Sequence, residues 1–200
     1  MSPKLIVEQK ITLMVNQYRI YNVENGKKSD LVAFAQQKRL AFREKVTFYT
    51  DETKAKEVFG FHAEKILDVH GRYFVTDPDG NTLGSFQKSF KKSLLNSTWN
   101  ILDGDEPVIT ISETNKILAV VRRVLDFIPI IGDFADILMI LLRVHFTFVD
   151  TKTDKVIGHY MKKTRFRDHY ELSMNDDTFD ARDWRVWAAM AVALDALQGR

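Results

Sequence analysis

The sequence predicts a mainly β chain: an antiparallel meander that closes on itself, followed by a C-terminal helix that protein must surround. Three observations predict it. A strand–turn–strand unit recurs along the chain, turn signals punctuate it at short spacing, and the last helical stretch has almost no polar side.

The first unit is a loose one, "YRIYNVENGKKSDLVAFAQQK" from Tyr18 to Lys38, with Asn22 and Gly26 at its bend. A hairpin follows in "KVTFYTDETKAKEVFGFHAEK", turning at Asp51–Lys54. The clearest copy is "YFVTDPDGNTLGSFQK", Tyr73 to Lys88, where "DPDG" supplies the turn. Pro78 presets φ there, and Gly80, like Gly26, accepts positive φ at little cost. "STWNILDGDEPVITISE" turns at Asp103–Gly104, and "FTFVDTKTDKVIGHYMK" repeats the clear unit from Phe146 to Lys162. Within each copy the alternation has period two, so one face is buried and the other solvated. A meander of this kind avoids bare edges best by closing.

Two segments break the rhythm. "TNKILAVVRRVL" places Ile117, Leu118, Val121, Val124 and Leu125 at helical spacing behind a Thr114 cap, giving an extra helical segment near 114–140. The second is "DWRVWAAMAVALDALQGR", with Asp180 as its N-cap, Asp183 in the first turn and Gly199 as its stop. From Trp184 to Leu197, Trp187, Met190 and Leu194 with Val186 and Val192 cover the circumference, and four alanines keep the helix slim. A helix apolar all round must be enclosed. The inside of a closed sheet satisfies that, and so does a sandwich between a sheet and another helix. No boundary divides the chain, so residues 1–200 read as one domain.

The order of these features, with "HGRYFVTDPDGNTLGSFQKSFKKSLLNSTWNILD", "DHYELSM" and "RDWRVWAAMAVALDAL", resembles the LURP-one-related family, over Gln17 to Leu197. That family is related to the phospholipid scramblases and to the C-terminal domain of Tubby proteins. The resemblance implies a closed barrel of about twelve strands around a central hydrophobic C-terminal helix, with Trp184, Trp187, Met190 and Leu194 in its core. It supplies no counterpart for the 114–142 segment.

Composition excludes several function classes. The chain has 200 residues, 45% hydrophobic and 28% charged, with a net charge of +2, so bulk attraction to nucleic acid is not expected. It has no cysteine, which excludes disulfides and thiolate metal sites and fits a cytoplasmic setting. The opening stretch lacks a secretory h-region, because Lys4, Glu8 and Lys10 interrupt it. Val124–Leu142 carries Asp126, Asp133 and Asp136, each costing about 2.5–3.5 kcal/mol at a bilayer centre, so no transmembrane span is expected.

There is no G-x-S-x-G, Walker loop or G-x-G-x-x-G, so an enzyme is not expected, and neither is a cofactor. His62, His70, His145, His159 and His169 share no ligand spacing, and "DPDGN" puts glycine at position 4 rather than 6 of a calcium loop, so no metal site is expected. Asp176, Asp177, Asp180 and Asp183 read as helix-capping acids.

The candidate binding residues are basic: Lys88, Lys91 and Lys92 after one copy of the unit, and Lys162, Lys163, Arg165 and Arg167 after another. Equivalent positions of internal repeats in a closed barrel meet at one rim. Cations there, beside Phe90 and Phe166, suit anionic headgroups of the phosphoinositide kind, at about 1 kcal/mol each. Tubby domains bind such lipids, so the resemblance implies the same. The alternative reading of these clusters is an ordinary solvated strand face. The expected function is a non-catalytic module that docks peripherally on anionic phospholipid or on a protein partner. A scramblase-like membrane-active protein, or a small-ligand carrier using the barrel mouth, is the alternative.

Overall fold

A computed structural model of the chain describes residues 1–11, 15–38, 45–64, 71–89, 98–113, 144–163 and 168–196. Twelve strands run in order: β1 Ser2–Ile11, β2 Val15–Glu24, β3 Lys27–Lys38, β4 Lys45–Tyr49, β5 Glu57–Ala63 and β6 Arg72–Thr76. They continue as β7 Thr82–Lys88, β8 Thr98–Asp103, β9 Glu106–Glu113, β10 Val144–Asp150, β11 Val156–Lys162 and β12 Asp168–Met174. Two helices follow, α1 Asp176–Asp180 and α2 Trp184–Ala196. Each strand pairs with its chain neighbours, and β12 returns to pair antiparallel with β1, closing the barrel. Closure leaves none of the described strands as an edge for a foreign chain to extend.

The repeated unit is real in three dimensions. In β6–β7, Tyr73 faces Phe86 and Val75 faces Gly84. In β10–β11, Phe146 faces Tyr160 and Phe148 faces Gly158. The turns owe their shape to aspartates. The Asp77 carboxylate accepts the Asn81 backbone N–H at 2.8 Å and its side-chain amide at 2.9 Å. Asp150 Oδ1 accepts both the backbone N–H and the hydroxyl of Thr153 at 2.7 Å. Such side-chain bonds imitate a backbone turn and fix where each hairpin reverses.

Two expectations need correction. The bend of the first unit is at Asn25–Gly26, with φ of 51° and 71°, while Asn22 lies inside β2 opposite Leu5. Asn-Gly supplies both left-handed residues of a tight turn whose twist matches the strands. Asp180 does not cap the long helix either. It ends α1, and Asp183 caps α2 by accepting the Arg185 N–H at 2.9 Å. The expected helix at 114–140 and the stop at Gly199 lie outside the described residues.

α2 fills the lumen. Val186 through Leu194 are each at most 1% exposed, and Ala196 2%. The walls meet it on every side. Trp184, partly buried, lies edge-on to Phe59 of β5, while Trp187 meets Phe148 of β10 and stacks on Phe179 of α1. The Trp187 indole N–H donates to the Phe179 carbonyl at 3.0 Å, so this deeply buried ring keeps no unpaired polar group. Gly84 lets the helix approach β7: a Cβ there would stand 2.9 Å from Val186 Cγ2.

At the far end, Asp195 is the one charged residue of α2 beyond Arg185. Tyr18 donates its hydroxyl to Asp195 at 2.8 Å, Tyr170 donates at 3.3 Å, and the Gln9 amide also donates. A carboxylate is disfavoured at a helix C-terminus, and donors from β1, β2 and β12 offset that. Burial, with negative Asp195 adding to it, pushes the Tyr18 hydroxyl far above its ordinary value, so Tyr18 stays a donor.

Gly84→Ala is expected to cost about 1–3 kcal/mol by urea unfolding, the range for overpacking a core. Combined with Val186→Ala it should cost less than the two single changes added, because the clash is with that side chain. Asp183→Ala is expected to lower stability by about 1 kcal/mol near neutral pH. The Arg185 side-chain hydrogen bond holds the Asp183 carboxyl below its usual range. Its contribution is therefore complete above the ordinary carboxyl value of about 4 and lost as pH falls through the lowered one. Thermal midpoints of the wild type and Asp183→Ala should converge in acid.

Candidate anion-binding rim

An antiparallel meander sends every second connection to the same end. The tight turns after β2, β4, β6, β8 and β10, and the link from β12 through α1 to α2, stand at one rim. The connections after β1, β3, β5, β7, β9 and β11 begin and end at the other, where α2 terminates. This arithmetic sorts the charges. Counted with their flanking strand ends, the tight-turn segments (24–27, 49–57, 76–82, 103–106, 150–156 and 174–184) carry 15 carboxylates and 6 Lys or Arg. Five connections at the opposite rim (11–15, 38–45, 63–72, 88–98 and 162–168) carry 13 Lys or Arg and 4 carboxylates. The sixth, 113–144, has four of each. The tight-turn segments are all described and are acidic; of the 13 cations of the opposite connections, Lys38, Lys45, Arg72, Lys88, Lys162 and Lys163 belong to described strands or strand ends, and the other seven lie outside the described residues.

Lys88 ends β7 and Lys162 ends β11, in equivalent places of the two repeats and at the basic rim. Both lie two residues beyond an inward aromatic ring, Phe86 and Tyr160, and both cations lie over a ring of the next strand. Lys88 Nζ is 5.7 Å from the centroid of Trp99, and Lys162 Nζ is 5.8 Å from that of Tyr170. Each contact is of cation–π type. Tyr170 in turn reaches Asp195, so Lys162 belongs to the polar cap over the end of α2, where a cation is favoured. Lys163, itself exposed, is 3.0 Å from the partly buried carboxylate of Glu171. Lys91, Lys92, Arg165 and Arg167, with Phe90 and Phe166, lie outside the described residues. The strand ends that carry them stand at the same rim, four strand positions apart around the hoop, or about 19 Å.

Sequence reasoning missed "KRLAFREK", residues 38–45, which joins β3 to β4 at this rim with four basic residues. Its charges are interrupted by Leu40, Ala41 and Phe42, so it does not read as a basic run; only the strand order puts its flanking ends, Lys38 and Lys45, at this rim, and residues 39–44 lie outside the described residues. Arg72 contributes less than the tally implies. It reaches across the outer wall to pair with Asp105.

Among the described residues no three His, Cys, Asp or Glu side chains converge as metal ligands. Of the four C-terminal aspartates, Asp176 is bound by Lys4 and Ser2, and Asp183 by Arg185. Burial pushes His159 below the usual histidine value, so near neutral pH it is an uncharged wall residue rather than a cation. No described helix is long and apolar enough to cross a membrane. α2, at 13 residues, spans about 20 Å against a hydrocarbon core of about 30 Å.

No curated protein and no solved structure gives a match to this chain. The family model for LURP-one-related proteins matches residues 31–195, which takes in β3 through nearly all of α2. The match begins inside β3, so β1, β2 and the ladder that closes the barrel lie before it, and over that length the chain belongs to the LURP-one-related family.

Proposed function

We propose that this protein is a non-catalytic binding module that docks its basic rim on anionic phospholipid surfaces. One observation supports the reading: five connections whose flanking strand ends stand at one rim carry, in sequence, 13 Lys or Arg against 4 carboxylates. Each cation near an anionic leaflet contributes about 1 kcal/mol, decaying over a Debye length of about 8 Å at physiological salt. The acidic opposite rim turns away from the same surface, so the polarised barrel approaches in one orientation. Membership of the LURP-one-related family is compatible with a binding role.

The alternatives fit less well. A small-ligand carrier needs room in the lumen, which α2 occupies. A scramblase-like role for α2 requires it to leave the barrel and expose ten buried residues. Val186, Met190, Val192 and Leu194 alone each contribute about 1.5–3 kcal/mol by burial.

Flotation with vesicles tests the reading. The protein is expected to float with phosphatidylcholine vesicles containing phosphatidylserine or a phosphoinositide, not with phosphatidylcholine alone, and to bind less as salt rises. Reversal of Lys91, Lys92, Lys162 and Lys163 to Glu should abolish flotation while the barrel remains folded by circular dichroism. Reversal of Lys152 and Lys155 at the acidic rim should leave it intact. Absence of binding, or equal binding to neutral vesicles, would refute the proposal.

A further inference from the structure

The barrel wall is unevenly joined. Among the described residues β3 meets β4 through two opposed pairs, Phe34 with Tyr49 and Ala35 with Phe48, whereas every other ladder has at least four. β3 has twelve residues and β4 five, so most of β3 has no partner on that side. The core also holds β3 weakly. Its inward Ala33 and Ala35 are buried but small, while Tyr18 and Ile20 of β2 and Phe48 of β4 fill the same core. Apolar stabilisation scales with the area buried, so β3 gains less than either neighbour. Gln37, next in that alternation, is 7% exposed and its Nε2 has no hydrogen-bond partner. A buried donor left unpaired weakens this end of the strand further.

The outer wall spans this join with side chains. Arg19 of β2, Phe34 of β3 and Tyr49 of β4 stand in one row across it. Phe34 is 1% exposed although it lies outside the core, because the Arg19 guanidinium covers it at 5.6 Å from the ring centroid. Arg19 Nε donates to Glu52 Oε1 at 2.7 Å, and Glu52 belongs to the turn after β4. The ion pair therefore ties β2 to the β4–β5 hairpin by passing over β3. The Glu52 side chain is 57% exposed, and an exposed pair of this kind is a weak tie. The plug helix leans elsewhere: among the strands, α2 packs most closely on β1, β5, β6 and β7.

From these observations we infer that the β3–β4 join is a seam at which the barrel opens without unfolding, with the Arg19–Glu52 pair over Phe34 as the strap that holds it shut. Parting of β3 from β4 bares the Phe34 ring and turns two wall strands into edges, the arrangement with which an added strand pairs. A partner that binds those edges selects the open state. α2 keeps its place, because the walls it leans on stay joined. The inference is independent of vesicle docking and survives its failure.

Amide hydrogen exchange of the full chain tests the seam. The amides that donate between β3 and β4 are expected to exchange about a hundredfold or more ahead of those of Phe86 and Phe148, and with little dependence on low urea. Glu52→Ala, a change at an exposed turn, should speed the seam amides about two- to fivefold and leave the others unchanged. The chain has no cysteine, so Phe34→Cys with Tyr49→Cys places one pair of thiols directly across the seam. Its oxidised form should exchange at the seam at least about tenfold more slowly than its own reduced form. Seam amides that exchange together with those of Phe86 and Phe148 in the wild type overturn the inference, as do equal rates in the oxidised and reduced double variant. An unchanged seam rate in Glu52→Ala overturns the role of the strap.

Discussion

The enclosure of α2 is the constraint on which the rest of the structure depends. A thirteen-residue helix with ten buried residues has no face to give to water, so walls must meet it in every direction. Twelve strands and a closing β12–β1 ladder provide them. The helix in turn gives the inward side chains of the strands something to pack on. Its alanines admit the large rings of the wall, Phe59, Phe61, Phe86, Trp99 and Phe148, and Gly84 admits Val186 where a methyl would not fit. Barrel and plug are one core, and neither is apolar-satisfied without the other.

A filled lumen directs the search for function outward. Because the strands follow one another in order, an even and an odd set of connections begin and end at opposite rims, and the sequences of the two sets differ in charge. The inward ends of the repeats tie that surface to the core. Lys162 lies over Tyr170, Tyr170 donates to Asp195, and Asp195 belongs to the last turn of α2. The cap over the helix end and the basic rim are the same place.

Much of the architecture was legible in the sequence. Five turns could be read from Asp, Asn and Gly, one of them with its Asn misplaced from 25 to 22, because those residues determine local conformation through their own hydrogen bonds and φ preferences. The plug could be read because no polar stripe interrupts Val186 to Leu194. Other features were not legible. β1 has Leu5, Ile6 and Val7 all buried, so its alternation is blurred where the outer face is also covered. The N-cap was misplaced from Asp183 to Asp180, since several aspartates in a row each suit a cap and only the break at Ala181–Asp183 decides. Of the site, the two basic runs were visible as composition. That the strand ends flanking residues 38–45 stand at the same rim was not, because it depends on which strands become neighbours, a long-range fact that no window of sequence contains.

Backbone amide hydrogen exchange across Val186–Leu194 tests the central claim most directly. A helix enclosed on all sides opens only when the barrel does, so these amides should exchange at the rate set by global unfolding, together with those of Phe86 and Phe148 in the wall. Exchange of the α2 amides well ahead of the wall strands would mean that the helix leaves without the barrel, and the account of a single plugged core would be contradicted.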